Sequence, residues 1–217
     1  MGLVEERIRT TAARVGRSPK EITLLAVTKV FPASAILEAY ELGLREFGEN
    51  YVQEFAGKYP EVRDLPGIRF HFIGHLQSNK AAAAAELFHS IQTIDNERLA
   101  KRLNATNRSL DVMAEVKLSP EETKHGVEPA QLPPLLDAIR ALPNLNLVGL
   151  MTMPPWSDTA EDSRTYFRRL KELAGQHGLP CLSMGMSHDL EVAIEEGATH
   201  VRVGTALFGS RKAFLNR

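Results

Sequence analysis

The 217-residue chain has a single cysteine, Cys181, so no disulfide can form within it, as expected of a protein kept in a reducing cytoplasm. An excess of either charge is lacking too. The 26 Lys and Arg against 27 Asp and Glu leave a formal net charge of −1, which offers no pull toward nucleic acid or a membrane surface. No apolar run approaches the roughly 20 residues that a membrane helix needs. The opening MGLVEERIRTTAARVG is charged and amphipathic, without the apolar centre expected of a secretory signal. No linker, tandem repeat or charged tail interrupts the chain, and a single domain over residues 1–217 is expected. Metal-ligand spacing is equally poor. His71 and His75 fall in a strand and a turn instead of along one helix, and no Cys or carboxylate cluster accompanies them.

What is present is an alternation of short apolar runs with helical stretches. The runs 22–28, 45–48, 69–74, 90–94, 110–118, 145–151, 180–185 and 199–204 read as strands. Most are continuously apolar, the pattern of strands covered on both faces. Helix starts are signalled by Ser18-Pro19-Lys20-Glu21 and Asn50-Tyr51-Val52-Gln53, both of capping-box form, and by Ser119-Pro120-Glu121-Glu122. Gly43 and Gly197 stand where helices end before the next strand. Further helices are expected over 96–107, 129–141 and 159–177, with an additional one over 5–15; the alanine run 81–85 is ordinary helix. Eight strands with intervening helices point to a single (β/α)8 TIM barrel with an extra N-terminal helix. An open doubly wound sheet is the alternative that strand count disfavours.

Such barrels carry their sites at the C-terminal ends of the strands, with phosphate often held after the seventh and eighth. Here the seventh ends in Met184-Gly185-Met186-Ser187 and the eighth in Arg202-Val203-Gly204-Thr205. Each sets glycine and a hydroxyl at a helix start, where free N–H groups suit a phosphate. Singly, Ser187 is as well explained as a cap and Gly204 as a turn; together, after these two strands, they favour phosphate. Lys29 follows the first strand, beside the eighth in a closed barrel. It shares a face with Leu25 and Val27, so it points inward if Leu25 does. A buried lysine sheds its charge and becomes nucleophilic, as a Schiff base with a phosphorylated aldehyde requires. The competing reading is a surface lysine in a turn. Arg202 can only donate hydrogen bonds. Facing a pyridine nitrogen it would keep that nitrogen unprotonated and weaken the ring as an electron sink; a rim salt bridge is the other reading. Glu49 and Asn50 end the second strand, where Asn50 is also a sufficient helix cap. Cys181 is read as a small core residue, Lys80 and Lys124 as solvated, and Trp156 as either a rim residue or a packing one.

The stretches Leu25-Ala26-Val27-Thr28-Lys29, Phe47-Gly48-Glu49-Asn50-Tyr51-Val52-Gln53-Glu54 and His71-Phe72-Ile73-Gly74-His75-Leu76-Gln77-Ser78-Asn79-Lys80 carry a resemblance that covers nearly the whole chain. So do Gly149-Leu150-Met151-Thr152-Met153 and the two stretches ending the seventh and eighth strands. The sequence resembles the pyridoxal 5′-phosphate (PLP) homeostasis proteins, or PLP-binding proteins, related to the N-terminal barrel of alanine racemase. Phe70 stands where that family is expected to have Trp, and residues 118–124 depart from its usual wording. The resemblance implies a Schiff base between PLP and Lys29, Asn50 lining the cofactor, and Ser187, Gly204 and Thr205 holding its phosphate. It also implies Arg202 near the pyridine nitrogen, with Met184 and Gly185 lining the site. The expected role is an intracellular PLP carrier, buffer or regulator without strong catalysis, meeting apo PLP-dependent enzymes transiently and acting as a cytoplasmic monomer. An amino-acid racemase is the alternative, but alanine racemase draws one of its two bases from a further β-domain that this chain is not expected to have. A Schiff-base aldolase is a more distant one.

Overall fold

Short runs of β-branched and other apolar residues give eight strands: β1 (Thr23–Val27), β2 (Glu46–Glu49), β3 (Arg69–Phe72), β4 (Ser90–Ile94), β5 (Leu110–Glu115), β6 (Leu145–Met151), β7 (Cys181–Met186) and β8 (His200–Val203). All neighbours pair in parallel and in chain order, and β8 returns to β1 to close the barrel. The computed structural model describes residues 1–121 and 124–209. Among these, the helices are α1 (Gly2–Arg14) before the barrel, then α2 (Ala33–Glu41), α3 (Val52–Val62), α4 (Ala81–Leu87), α5 (Glu97–Asn104), α6 (Leu132–Arg140), α7 (Arg164–Gln176), α8 (Leu190–Glu195) and the short α9 (Thr205–Phe208). None is long and apolar enough to cross a membrane.

Local signals were followed unevenly. The box at Ser18 forms, with the Glu21 carboxylate accepting from the Ser18 N–H at 2.9 Å, yet it caps only the 3-10 turn Pro19–Glu21. The box at Asn50 does not form. Helix α3 starts at Val52 without a side-chain cap, which leaves the Asn50 amide for other uses. At Ser119 the hydroxyl accepts from the Glu121 N–H at 3.1 Å in an irregular segment, and Glu122 lies outside the described residues. The expected helices over 129–141 and 159–177 open as 3-10 turns at Pro129–Gln131 and Ala160–Ser163. Gly43 and Gly197 do end helices, at φ 101° and 104°, in the left-handed region where a side chain is strained.

Two different cores result. Between sheet and helices lies an apolar layer with Phe47, Phe55, Phe70, Leu99, Leu136 and Phe167 fully buried. Inside the barrel the filling is partly polar. Arg202 donates to Ser183 Oγ at 2.8 Å, Ser183 donates to Gln92 Oε1 at 2.7 Å, and Gln92 Nε2 meets His71 Nδ1 at 3.2 Å. Strands β7 and β4 are not neighbours, so the Ser183–Gln92 bond must cross the interior. His71 continues this file to Glu46 at 2.5 Å, at the start of β2. Burial, and then the neighbouring His71, depress the His200 imidazole beside it to about 4.

Candidate functional site

At the C-terminal mouth a cavity of about 490 Å³ is lined by residues from β1, β2, β3, β6, β7 and β8 and the loops that follow them. That size suits a small organic ligand. Lys29, Asn50, Ser187, Arg202, Gly204 and Thr205 all line it, with Val27, Ile73 and Met153 among the apolar walls. Trp156, 70% exposed, stands over His188 with ring centroids 5.2 Å apart at the rim. Met184 and Gly185 are not among the lining residues. Met184 is fully buried in the apolar layer, on the face of β7 opposite the inward Ser183, and the β7 register shifts between Ser183 and Met186. Gly185 makes that irregularity possible. It sits at φ 89°, and a Cβ there would overlap the Cβ of Ala193 on α8. Its effect on the pocket is to aim Met186 and Ser187 into it.

Lys29 is set by a buried ionic cluster that sequence reasoning missed. Leu25 is fully buried and pairs with Arg202 across β1 and β8, so period-two alternation places Leu25, Val27 and Lys29 on the interior side. Thr28 points the other way, its hydroxyl donating to Glu49 Oε1 at 2.8 Å. The Lys58 ammonium, only 8% exposed, binds Glu49 Oε1 and the Thr28 carbonyl, each at 2.9 Å, and Glu54 Oε1 at 2.6 Å. Glu54 Oε1 also accepts from the Val30 N–H at 2.6 Å. Val30 itself is held at φ 66°, strained for a β-branched residue. Lys29 is thus flanked by two anchored residues. Glu49 therefore sits under the site and not in it, and burial raises its carboxyl against the pull of Lys58. The i,i+4 spacing of Glu54 and Lys58 on α3 was the available sequence signal, but it reads equally as an ordinary surface pair.

Arg202 makes no rim ion pair among the described residues. It is buried, donating to Ser183 Oγ and to the Thr152 carbonyl at 2.9 Å, and burial lowers it to about 10 against the pull of Asp189 and Glu115. It stays protonated at neutral pH, and guanidinium has five N–H donors, so these two bonds leave others for the cavity. On the hydroxyl side, Ser187 Oγ accepts from the Ala206 N–H at 3.3 Å and joins the loops after β7 and β8. Buried Asp189 accepts from the Met186 N–H at 2.6 Å and from Ser163 Oγ at 2.9 Å. From α1, Arg7 donates to the Ser187 carbonyl at 3.0 Å and grips Glu191 with both arms at 2.6 and 2.8 Å. Among the described residues, Asn50 Oδ1 is a buried acceptor with no donor. An orphaned acceptor, a protonated guanidinium, an amine and two hydroxyls on glycine-bearing loops around one largely apolar cavity fit a phosphorylated aromatic aldehyde with a ring hydroxyl to donate.

Comparison with known proteins agrees in scale with that chemistry. The family model described as alanine racemase, N-terminal domain, matches residues 3–212. The pyridoxal phosphate homeostasis protein of Pseudomonas aeruginosa is 47% identical over 214 residues, covering 96% of this chain and 93% of that protein. Its counterpart from Aquifex aeolicus is 47% identical over 219 residues, with 96% of each covered. The structure of PipY from Synechococcus elongatus with PLP bound superposes with a TM-score of 0.83 at 40% identity, covering 95% of this chain and all of that one. Alanine racemase from Clostridium difficile shares the fold alone, at 13% identity and a TM-score of 0.69 over 57% of its length.

Proposed function

From the premise that this chain belongs to the alanine racemase N-terminal domain family, and within it to the pyridoxal phosphate homeostasis proteins, we propose that it binds PLP in the barrel-mouth cavity and serves PLP homeostasis as a carrier or buffer. The observation that carries this reading is the convergence of Lys29, Arg202, Asn50 and the Ser187/Gly204/Thr205 loops on one cavity. When bound, the cofactor supplies an aldehyde carbon that a primary amine can take up reversibly. Lys29 is the amine that holds it. Ser187, Gly204 and Thr205 hold the phosphate by hydroxyl and backbone donors, Asn50 accepts from a ring substituent, and Arg202 donates to the ring nitrogen. Met184 and Gly185 act from behind the wall, by keeping the β7 irregularity in place.

Arg202 disfavours transaminase-like chemistry: a guanidinium that remains protonated cannot give the ring nitrogen a proton readily, and this weakens the electron withdrawal on which transamination depends. Apart from Arg202, Lys29 and His188 are the basic side chains among the described lining residues. We place the protein in the cytoplasm as a monomer of one domain over residues 1–217, handing PLP transiently to apo-enzymes. The visible spectrum of purified protein, followed by borohydride reduction and peptide mapping, tests the reading. An absorbing species fixed as a pyridoxyl group on Lys29 supports it. A colourless protein that takes up no added PLP overturns it, and rapid turnover of alanine enantiomers would move the assignment to a racemase.

A further inference from the structure

On the other side of the barrel mouth, His75 follows β3, Asp95 follows β4 and His125 lies beyond β5. Fifty residues of sequence separate the outer two. In the fold their ligand atoms all lie within 4.8 Å of one another. We propose that His75, Asp95 and His125 form a binding site for a divalent transition-metal ion of the zinc class. This proposal does not depend on the cofactor reading.

Two imidazoles and one carboxylate are a donor set that borderline ions prefer over Mg2+ or Ca2+, which favour oxygen alone. Metal–ligand bonds of about 2.0–2.2 Å put donor atoms about 3.3 Å apart around a tetrahedral ion. His75 Nδ1 and Asp95 Oδ2 are 3.9 Å apart and all three ligand atoms lie within 4.8 Å, so closure needs shifts of about 0.6 Å for that pair and up to about 1.5 Å for the others. The two imidazoles are stacked with centroids 3.8 Å apart at 13°. Their lone pairs therefore lie in nearly parallel planes, and the rings must splay to converge on one ion, a rotation available to the exposed His75 side chain. The fourth position falls to water, since the group faces solvent.

The roots of the site are fixed. Thr93 donates to the Gly74 carbonyl at 2.7 Å, which binds the chain entering His75 to the strand that delivers Asp95. Gly74 also packs directly on the Asn50 backbone, where any Cβ would overlap it.

The test is competition between a chromophoric chelator and chelator-stripped protein for Zn2+, with thermal unfolding confirming that each variant is folded. One equivalent bound by the wild type, and a loss of affinity of about tenfold or more in each of His75→Ala, Asp95→Asn and His125→Ala, is expected. His177→Ala and Lys29→Ala should bind as the wild type does. Co2+ added in place of Zn2+ should give a visible ligand-field band that the three variants lose. A wild type that binds no Zn2+, or binding that survives all three substitutions or vanishes in Lys29→Ala, overturns the proposal.

Discussion

The two sides of the barrel mouth are built in opposite ways. On the side of β1, β2, β7 and β8, three cavity-lining groups stand on polar anchors: Lys29 between residues tied to Glu49, Lys58 and Glu54, Ser187 on Arg7 and the Asp189 loop, Arg202 on Ser183 and Thr152. On the side of β3, β4 and β5, the polar side chains His75 and His125 stack on one another at the surface beside Asp95. The first arrangement holds geometry before any ligand arrives and pays in buried charge. The second can adjust, because water solvates its parts. The difference shows where the chain has committed stability to a shape.

Substitutions on either side test this contrast. Lys58→Ala should have the largest effect. It leaves Glu49 buried without its cation, and about 4 kcal/mol of stability should be lost in urea unfolding. A loss below about 1 kcal/mol would mean that the anchor is not structural. Next comes Glu115, held at about 7 first by burial and then by Asp95. The folded protein keeps this proton where the unfolded chain has lost it, so its stabilising contribution declines as pH rises from 4.5 toward 7. His200, depressed to about 4, works in the opposite sense and lowers stability as pH falls from 6.5 toward 4. In Glu115→Gln the slope from the carboxyl is removed, and the stability of the variant relative to wild type should climb by about 1 kcal/mol per pH unit between pH 4.5 and about 7. Parallel pH profiles would show that Glu115 ionises normally.

Gly185→Ala should cost about 2 kcal/mol through overlap with Ala193 and the unfavourable φ, and should weaken PLP retention by shifting Ser187. Unchanged retention would separate the β7 irregularity from the pocket. The smallest effect belongs to Val30→Gly. Relief of its left-handed strain should raise stability by about 1 kcal/mol, while the slackened turn lowers the fraction of Lys29 fixed by borohydride. A rise in both would argue that the strain does not position the amine.

Much of this was legible in the sequence where one residue type repeats at a short period. The continuous apolar runs located all eight strands to within three residues at each end, and Leu25, Val27 and Lys29 showed their common face. Glycine and hydroxyl residues after β7 and β8 marked the loops that meet at the cavity. Features made by one residue per strand stayed hidden. Gln92, Ser183 and His71 are isolated polar residues in separate runs, and nothing local says that they join across the interior. Lys58 looks like any helical lysine until α3 is laid over the end of β1. Asn50 misled for the same reason: its local pattern fits a cap, but its amide oxygen ends up buried beside the cavity.

The bond from Arg7 to the Ser187 carbonyl spans 180 residues, and β1 waits for β8 before its second edge is paired. A nascent chain emerges from the ribosome with Lys29 early, long before the loops that meet it exist. Contacts of such separation form late and slowly, because the intervening chain must first be ordered. The cavity is therefore a product of the final closure, and half-made chains have the amine without the cradle.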